Sequence, residues 1–150
     1  MTVYRGCEVP EELWYDVPRD VWIRPADDGT IILGMTDLAQ SRAGKLLHIL
    51  FKKPGRHLDA GQSAATVETA KWAGPFSTPV AGTVTATNEA AFGADILVAN
   101  RDPYRAGWLV RLEPDAWDPV AAGLVTGAEA TAHYEARIDE LGISCFRCAD

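Results

Sequence analysis

The sequence is poor in cysteine, in positive charge and in long apolar runs, and each shortage excludes something. Three cysteines, an odd number, do not build a disulfide framework and agree with a reducing compartment. No apolar run approaches the roughly 20 residues of a membrane span. The start, Met1-Thr2-Val3-Tyr4-Arg5-Gly6, lacks the apolar region of a signal peptide. A cytoplasmic protein without membrane association is therefore expected. Basic residues number 14 against 21 acidic ones, a net charge of −7. That balance opposes nucleic-acid binding, because phosphates recruit basic surfaces. It suits solubility, or docking on basic rims of partner enzymes. The three histidines, His48, His57 and His133, have no metal-ligand spacing and no neighbouring nucleophile. Neither a metal site nor a catalytic residue is expected.

What is present is a core-forming pattern, with 47% hydrophobic residues over 150 positions. Residues 1–20 read as an irregular N-terminal extension, with a short helix over Glu11–Tyr15 that Pro10 would start and Pro18 would end. Val21–Arg24 and Thr30–Met35 flank Asp27-Asp28-Gly29, a strong hairpin signal. Thr36 can cap a helix over Asp37–Ala43, with Gly44 placed to end it. Lys45–Phe51 reads as a buried strand, Asp95–Ala99 as a helical turn and Trp108–Leu112 as the last strand. Thr126-Gly127-Ala128-Glu129 has capping-box spacing. Ala130, Tyr134, Ile138 and Leu141 recur on one face of a C-terminal helix that should pack on the β core and stop near Gly142. With no linker or low-complexity segment, the chain divides into an extension over 1–20, a β domain over 21–113 and a helical region with a thiol-bearing tail over 114–150.

Two short strands, around Ala65–Glu68 and Trp72–Ser77, meet at Thr69-Ala70-Lys71. A tight hairpin there puts Lys71 in solvent at the tip, between two β halves that form a weak pseudo-repeat. Most turn lysines are merely solvated. The small neighbours Thr69 and Ala70, and Glu68 close by, leave this amine sterically open to acylation.

These residues carry a family resemblance. Gly34-Met35-Thr36-Asp37-Leu38-Ala39-Gln40 resembles the G-I-T-D-x-A-Q stretch of glycine-cleavage H proteins, and Val67-Glu68-Thr69-Ala70-Lys71 their V-E-S-x-K lipoylation site. Pro79–Val84, Asn88-Glu89-Ala90 and Asn100–Leu109 follow in the family's order and spacing. The resemblance implies a mainly β, lipoyl-domain-like barrel (a barrel-sandwich hybrid) with short helices. It also implies lipoate amide-linked to Lys71, with Glu68, Thr69, Ala70 and Trp72 as flanking recognition residues. The protein would then be a lipoyl carrier and not itself an enzyme.

Other residues depart from the typical H protein: Asp20-Val21-Trp22, Trp72 after the lysine, the basic loop Lys52-Lys53-Pro54-Gly55-Arg56 and both tails. In these the chain is similar to the lipoate-binding proteins of bacterial sulfur oxidation. That likeness implies a monomeric swinging-arm carrier delivering sulfur intermediates to a heterodisulfide-reductase-like complex. Its further partners would be lipoate-attachment enzymes, sulfurtransferases and dihydrolipoamide dehydrogenase. The alternative is an H protein of glycine cleavage, carrying an aminomethyl group on lipoyl-Lys71. Trp72 either packs under the hairpin or shelters the lipoyl ring, and with the basic loop it could lie on the docking face. Cys145-Phe146-Arg147-Cys148 reads as a redox dithiol, half a zinc site or two tail thiols, the last being preferred. Cys7 could meet these thiols only if both termini lie together.

Overall fold

A computed structural model describes residues 2–147. The chain opens with β1 (Thr2–Tyr4) and β2 (Cys7–Val9), an antiparallel hairpin pairing Tyr4 with Cys7. Its two central residues, Arg5 and Gly6, have φ of 48° and 81°. Left-handed geometry at both positions matches the twist of the flanking strands. β3 (Trp14–Asp16), β4 (Val21–Pro25) and β5 (Ile31–Met35) follow, then α1 (Asp37–Ala43) and β6 (Leu46–Phe51). Next come β7 (His57–Leu58), β8 (Ser63–Thr69), β9 (Ala73–Ser77) and β10 (Gly82–Thr87). The short helices α2 (Glu89–Ala94) and α3 (Val98–Arg101) lead to β11 (Val110–Pro114), β12 (Val125–Thr126) and α4 (Gly127–Leu141).

The strands form an antiparallel seven-stranded sheet, ordered β12-β3-β4-β5-β11-β10-β7, and a three-stranded sheet, β6-β8-β9. The mainly β architecture with short helices and a C-terminal helix is the expected one, except that the sheets do not close into a barrel. Ile23, Leu33, Val110 and Leu112 of the large sheet share one apolar cluster with Leu46, Ala65, Val67 and Phe76 of the small one. A second cluster covers the large sheet's other face, where Tyr15 and Trp22 meet Leu38, Tyr104, Tyr134 and Ile138. β4 is buried on both faces: Val21 and Ile23 belong to the first cluster and Trp22 to the second. Trp22 pairs with Gly34, where any Cβ would come within 2.4 Å of the indole. Only glycine leaves room for that ring.

Several expectations are corrected. Glu11–Tyr15 is not a helix, since Trp14–Asp16 is drawn into the sheet between β4 and β12. The strand expected over Lys45–Phe51 forms over Leu46–Phe51 but is not a buried one: Leu47 and Leu50 are 59% and 61% exposed, because the small sheet turns its outer face to solvent. The Thr126 cap is not formed. Its hydroxyl donates instead to the Leu13 carbonyl at 2.6 Å, as β12 pairing dictates. Other expectations hold. Thr36 Oγ1 accepts the Ala39 N–H at 3.1 Å, and Gly142 ends α4 in the left-handed region. Ala130, Tyr134 and Ile138 are buried, and Tyr134 meets the Tyr15 ring edge-on at 5.4 Å. Leu141 is 40% exposed and lies outside that stripe's buried part.

The cysteine reading is also overturned. Cys7 and Cys145 form a disulfide across a sequence separation of 138, because the N-terminal hairpin and the tail lie side by side. The Cys145 N–H donates to the Arg5 carbonyl at 3.0 Å, and the Phe146 carbonyl accepts Gln40 Nε2 at 2.7 Å. Arg147 pairs with Glu8 at 2.8 Å. Cys148 lies outside the described residues.

Two predictions follow from this packing. Ile138→Ala should lower unfolding stability by about 2–4 kcal/mol in urea titration, as core truncations do. Cys7→Ser should cost about 2–4 kcal/mol by removing the cross-link. Adding Cys145→Ser to it should cost almost nothing more, because both substitutions delete one bond.

Candidate functional site

β8 and β9 pair in register as far as Glu68–Ala73, and a hydrogen bond between Thr69 and Trp72 narrows the loop beyond them to Ala70–Lys71. Loops this short usually need left-handed residues, but Arg5 and Asp20 are the only non-glycine residues of positive φ among those described. The Thr69 side chain supplies the closure instead. Its Oγ1 accepts the Trp72 N–H at 3.1 Å, while the Thr69 N–H donates to the Trp72 carbonyl at 2.7 Å. Thr69 is 6% exposed. The sequence offered it as a small neighbour and a flanking recognition residue, whereas the structure makes its hydroxyl the element that closes the turn.

Lys71 is exposed at this tip. Its stem passes over Gly44, where a Cβ would lie 3.2 Å from Lys71 Cε. Gly44 has φ of 84° as the C-cap of α1, so one glycine both ends the helix and clears the path of the lysine. The sequence marked Gly44 as a helix stop and gave no sign of the second role.

Behind the tip lies an open cleft of about 440 Å³. Its apolar lining includes Met35, Ala39, Val67, Trp72 and Phe76. Trp72 is 43% exposed and its ring lies along β9, since a Cβ on Gly74 would meet the indole at 2.5 Å. Ala70 and Glu68 are exposed and do not line the cleft. Glu68 pairs in register with His48 and Ala73 across the outer sheet.

The polar side of the cleft was not foreseen. Asp20, 7% exposed and strained at φ 57°, sits among cations brought from distant segments. Arg137 Nε and Nη2 donate to its two oxygens at 3.3 Å each, and Arg42 lies 3.5 Å away. Burial pushes the Asp20 carboxyl up from its ordinary range, against the opposing pull of Arg137 and Arg42. Arg19 lines the same cleft and pairs with Asp16 at 2.8 Å.

The basic loop is elsewhere. The Lys52 N–H donates to the Ala64 carbonyl at 2.9 Å, five residues before Thr69 on β8. That is roughly 16 Å at the rise of an antiparallel strand. Lys52, Lys53 and Arg56 line a depression separate from the cleft beside Lys71.

A projecting lysine at the closed end of a β hairpin thus stands beside a cleft whose walls are partly apolar and partly charged. The sequence profile of the family described as glycine cleavage H-protein matches residues 13–137, and the chain belongs to that family. It is 39% identical over 142 residues to glycine cleavage system H protein 2 of Aquifex aeolicus, covering 95% of this chain and 88% of that protein. It is 36% identical to the probable glycine cleavage system H protein 2 of Sulfolobus acidocaldarius, covering 98% and 99%. The crystal structure of a Mycobacterium marinum glycine cleavage system H protein superposes with a TM-score of 0.70 at 27% identity, covering 90% of this chain and all of that one. Proteins of this family are carriers, not catalysts, and hold lipoate covalently on a lysine.

Thr69→Val keeps the shape of the side chain and removes the turn-closing acceptor. It should destabilise the protein by about 0.5–1.5 kcal/mol, the net worth of one hydrogen bond at a site that water can reach. Hydrogen exchange at the Trp72 amide should accelerate while exchange in α4 stays unchanged.

Proposed function

We propose that this protein is a lipoyl carrier in which lipoate is amide-linked to Lys71 and presented to successive enzymes. The observation that carries this reading is the exposed Lys71 at a side-chain-closed hairpin, with Gly44 leaving its stem free passage to the cleft. When bound, the group supplies a disulfide that opens to a dithiol and recloses, so thiol exchange is its contribution. The chain's contribution is positional. Thr69 fixes where the amine points, and Val67, Phe76 and Trp72 offer an apolar wall that keeps water from a long aliphatic arm. Recognition by lipoate-attachment enzymes falls on the hairpin, with Glu68, Ala70 and Trp72 around the lysine.

Two cargoes are consistent with this arm. Carriage of an aminomethyl group between glycine-cleavage enzymes is supported by family membership and by the relatives' names. Carriage of sulfur intermediates to a heterodisulfide-reductase-like complex, with sulfurtransferases and dihydrolipoamide dehydrogenase as further partners, is supported by one structural observation. The cleft beside Lys71 carries an excess of guanidinium groups.

Intact-mass analysis of protein from a lipoate-competent host should show one lipoyl addition, lost in Lys71→Arg with unfolding unchanged. Peptide mapping that places the group on Lys45, Lys52 or Lys53 would refute the assignment. Supplied lipoylated to a reconstituted glycine-cleavage system, the protein should support glycine-dependent carbon dioxide release if the first cargo is correct. Impaired growth on a reduced sulfur compound after deletion of the gene is the outcome expected of the second.

A further inference from the structure

The charge of the cleft bears on what the arm can bring into it. Among the described residues, four cations line it, Arg19, Arg42, Lys71 and Arg137, against a single carboxylate, Asp20. Acylation converts the Lys71 ammonium into a neutral amide, and Arg19 is engaged by Asp16 at 2.8 Å. Two guanidiniums then remain on one carboxylate. Both oxygens of Asp20 are already occupied: Oδ1 by Arg137 Nε at 3.3 Å and Tyr134 Oη at 3.5 Å, Oδ2 by Arg137 Nη2 at 3.3 Å and Arg42 Nη1 at 3.5 Å. A cationic group entering the cleft would find no free carboxylate among the described lining residues and would face like charge. An oxyanion would find the Arg42 guanidinium, whose side chain is 43% exposed and whose planar fork has donors beyond the one directed at Asp20.

We infer that the cleft is an oxyanion subsite: it holds the end of the Lys71 arm when that arm carries a sulfonate or carboxylate, with Arg42 as the group that reads the charge. The inference rests on the carrier reading of Lys71 and adds to it the charge class of the cargo. Val67, Phe76 and Trp72 take the aliphatic length of the arm, and the Arg42–Asp20–Arg137 cluster takes its end. Asp20 is a positioning residue. It holds the two guanidiniums in place and, being 7% exposed, leaves the exposed part of Arg42 to the ligand. Charge-assisted hydrogen bonds of this kind are about twice as strong as neutral ones.

The test uses lipoylated protein whose mass has been verified, so that a missing lipoyl group refutes the carrier reading before the subsite is probed. The arm is reduced and its thiols are capped with carbon-13-labelled 2-bromoethanesulfonate or 2-bromoethylamine, which add the same two-carbon spacer with opposite charge. A third sample is capped with labelled iodoacetate. Lys71→Arg protein treated in parallel has no arm and subtracts the signals of labelled cysteines. In the wild type, the sulfoethyl or carboxymethyl resonances should broaden and shift as the arm end adopts the tumbling of the whole protein. The aminoethyl resonances should stay narrow. A stronger hold on sulfoethyl than on carboxymethyl assigns the cargo to sulfonates, and the reverse assigns it to carboxylates. Arg42→Gln should reduce the ratio of held to free arm about tenfold, the factor expected for one charge-assisted hydrogen bond. Three equally narrow sets of resonances, an aminoethyl cap held as firmly as the sulfoethyl cap, or no effect of Arg42→Gln would each overturn the inference. The comparison of caps needs no substitution in the cleft, so it stands even if Arg42→Gln folds poorly.

Discussion

The placement of Trp22 against Gly34 is the constraint on which most of the structure depends. It lets β4 be buried on both faces, with the sheet-on-sheet core on one side and the helical layer on the other. The indole N–H donates to the Pro103 carbonyl at 2.9 Å, which ties the segment after α3 to the centre of the large sheet. A sheet covered on only one face could not have kept Tyr15, Tyr104 and Tyr134 from water. All three have their hydroxyl pKa values pushed up, with burial as the leading cause.

α1 connects this scaffold to the site. Its Gln40 donates to the Phe146 carbonyl and accepts from Asn100 Nδ2 at 3.2 Å. Asn100 also donates to the Gly44 carbonyl at 2.9 Å and accepts the Leu46 N–H at 3.1 Å. Asn100 is 1% exposed, and a buried amide satisfied at each end fixes geometry more firmly than apolar packing alone. The turn under the Lys71 stem is therefore set by a network that runs from the C-terminal tail to the first residue of β6.

What the sequence disclosed and what it hid divide by locality. The Lys71 hairpin, the Thr36 cap and the Gly142 stop are written in a few adjacent residues, so turn and cap chemistry found them. Trp14–Asp16 and Thr126 also carried local signals, for a helix and for a cap, and there pairing with distant strands prevailed. The cleft had no local signature at all. Asp20, Arg42 and Arg137 come from the β3–β4 connection, α1 and α4, and nothing in their spacing announces that they meet. The same holds for Cys7 and Cys145, whose odd-numbered company argued against a bond that the fold brings about by placing both ends of the chain together.

That bond changes how the molecule meets mechanical load. With Cys7 and Cys145 joined, everything between them is a covalent ring, and the two chain ends emerge from nearly the same point. Tension applied at the termini by a translocating motor or a pulling protease would peel β1 and then run through the two sulfurs. The seven-stranded and three-stranded sheets, with the Lys71 hairpin, stay outside the load path. Once reduced, the same pull would pass through every strand in turn, so a single sulfur–sulfur bond decides whether the carrier can be drawn apart from its ends.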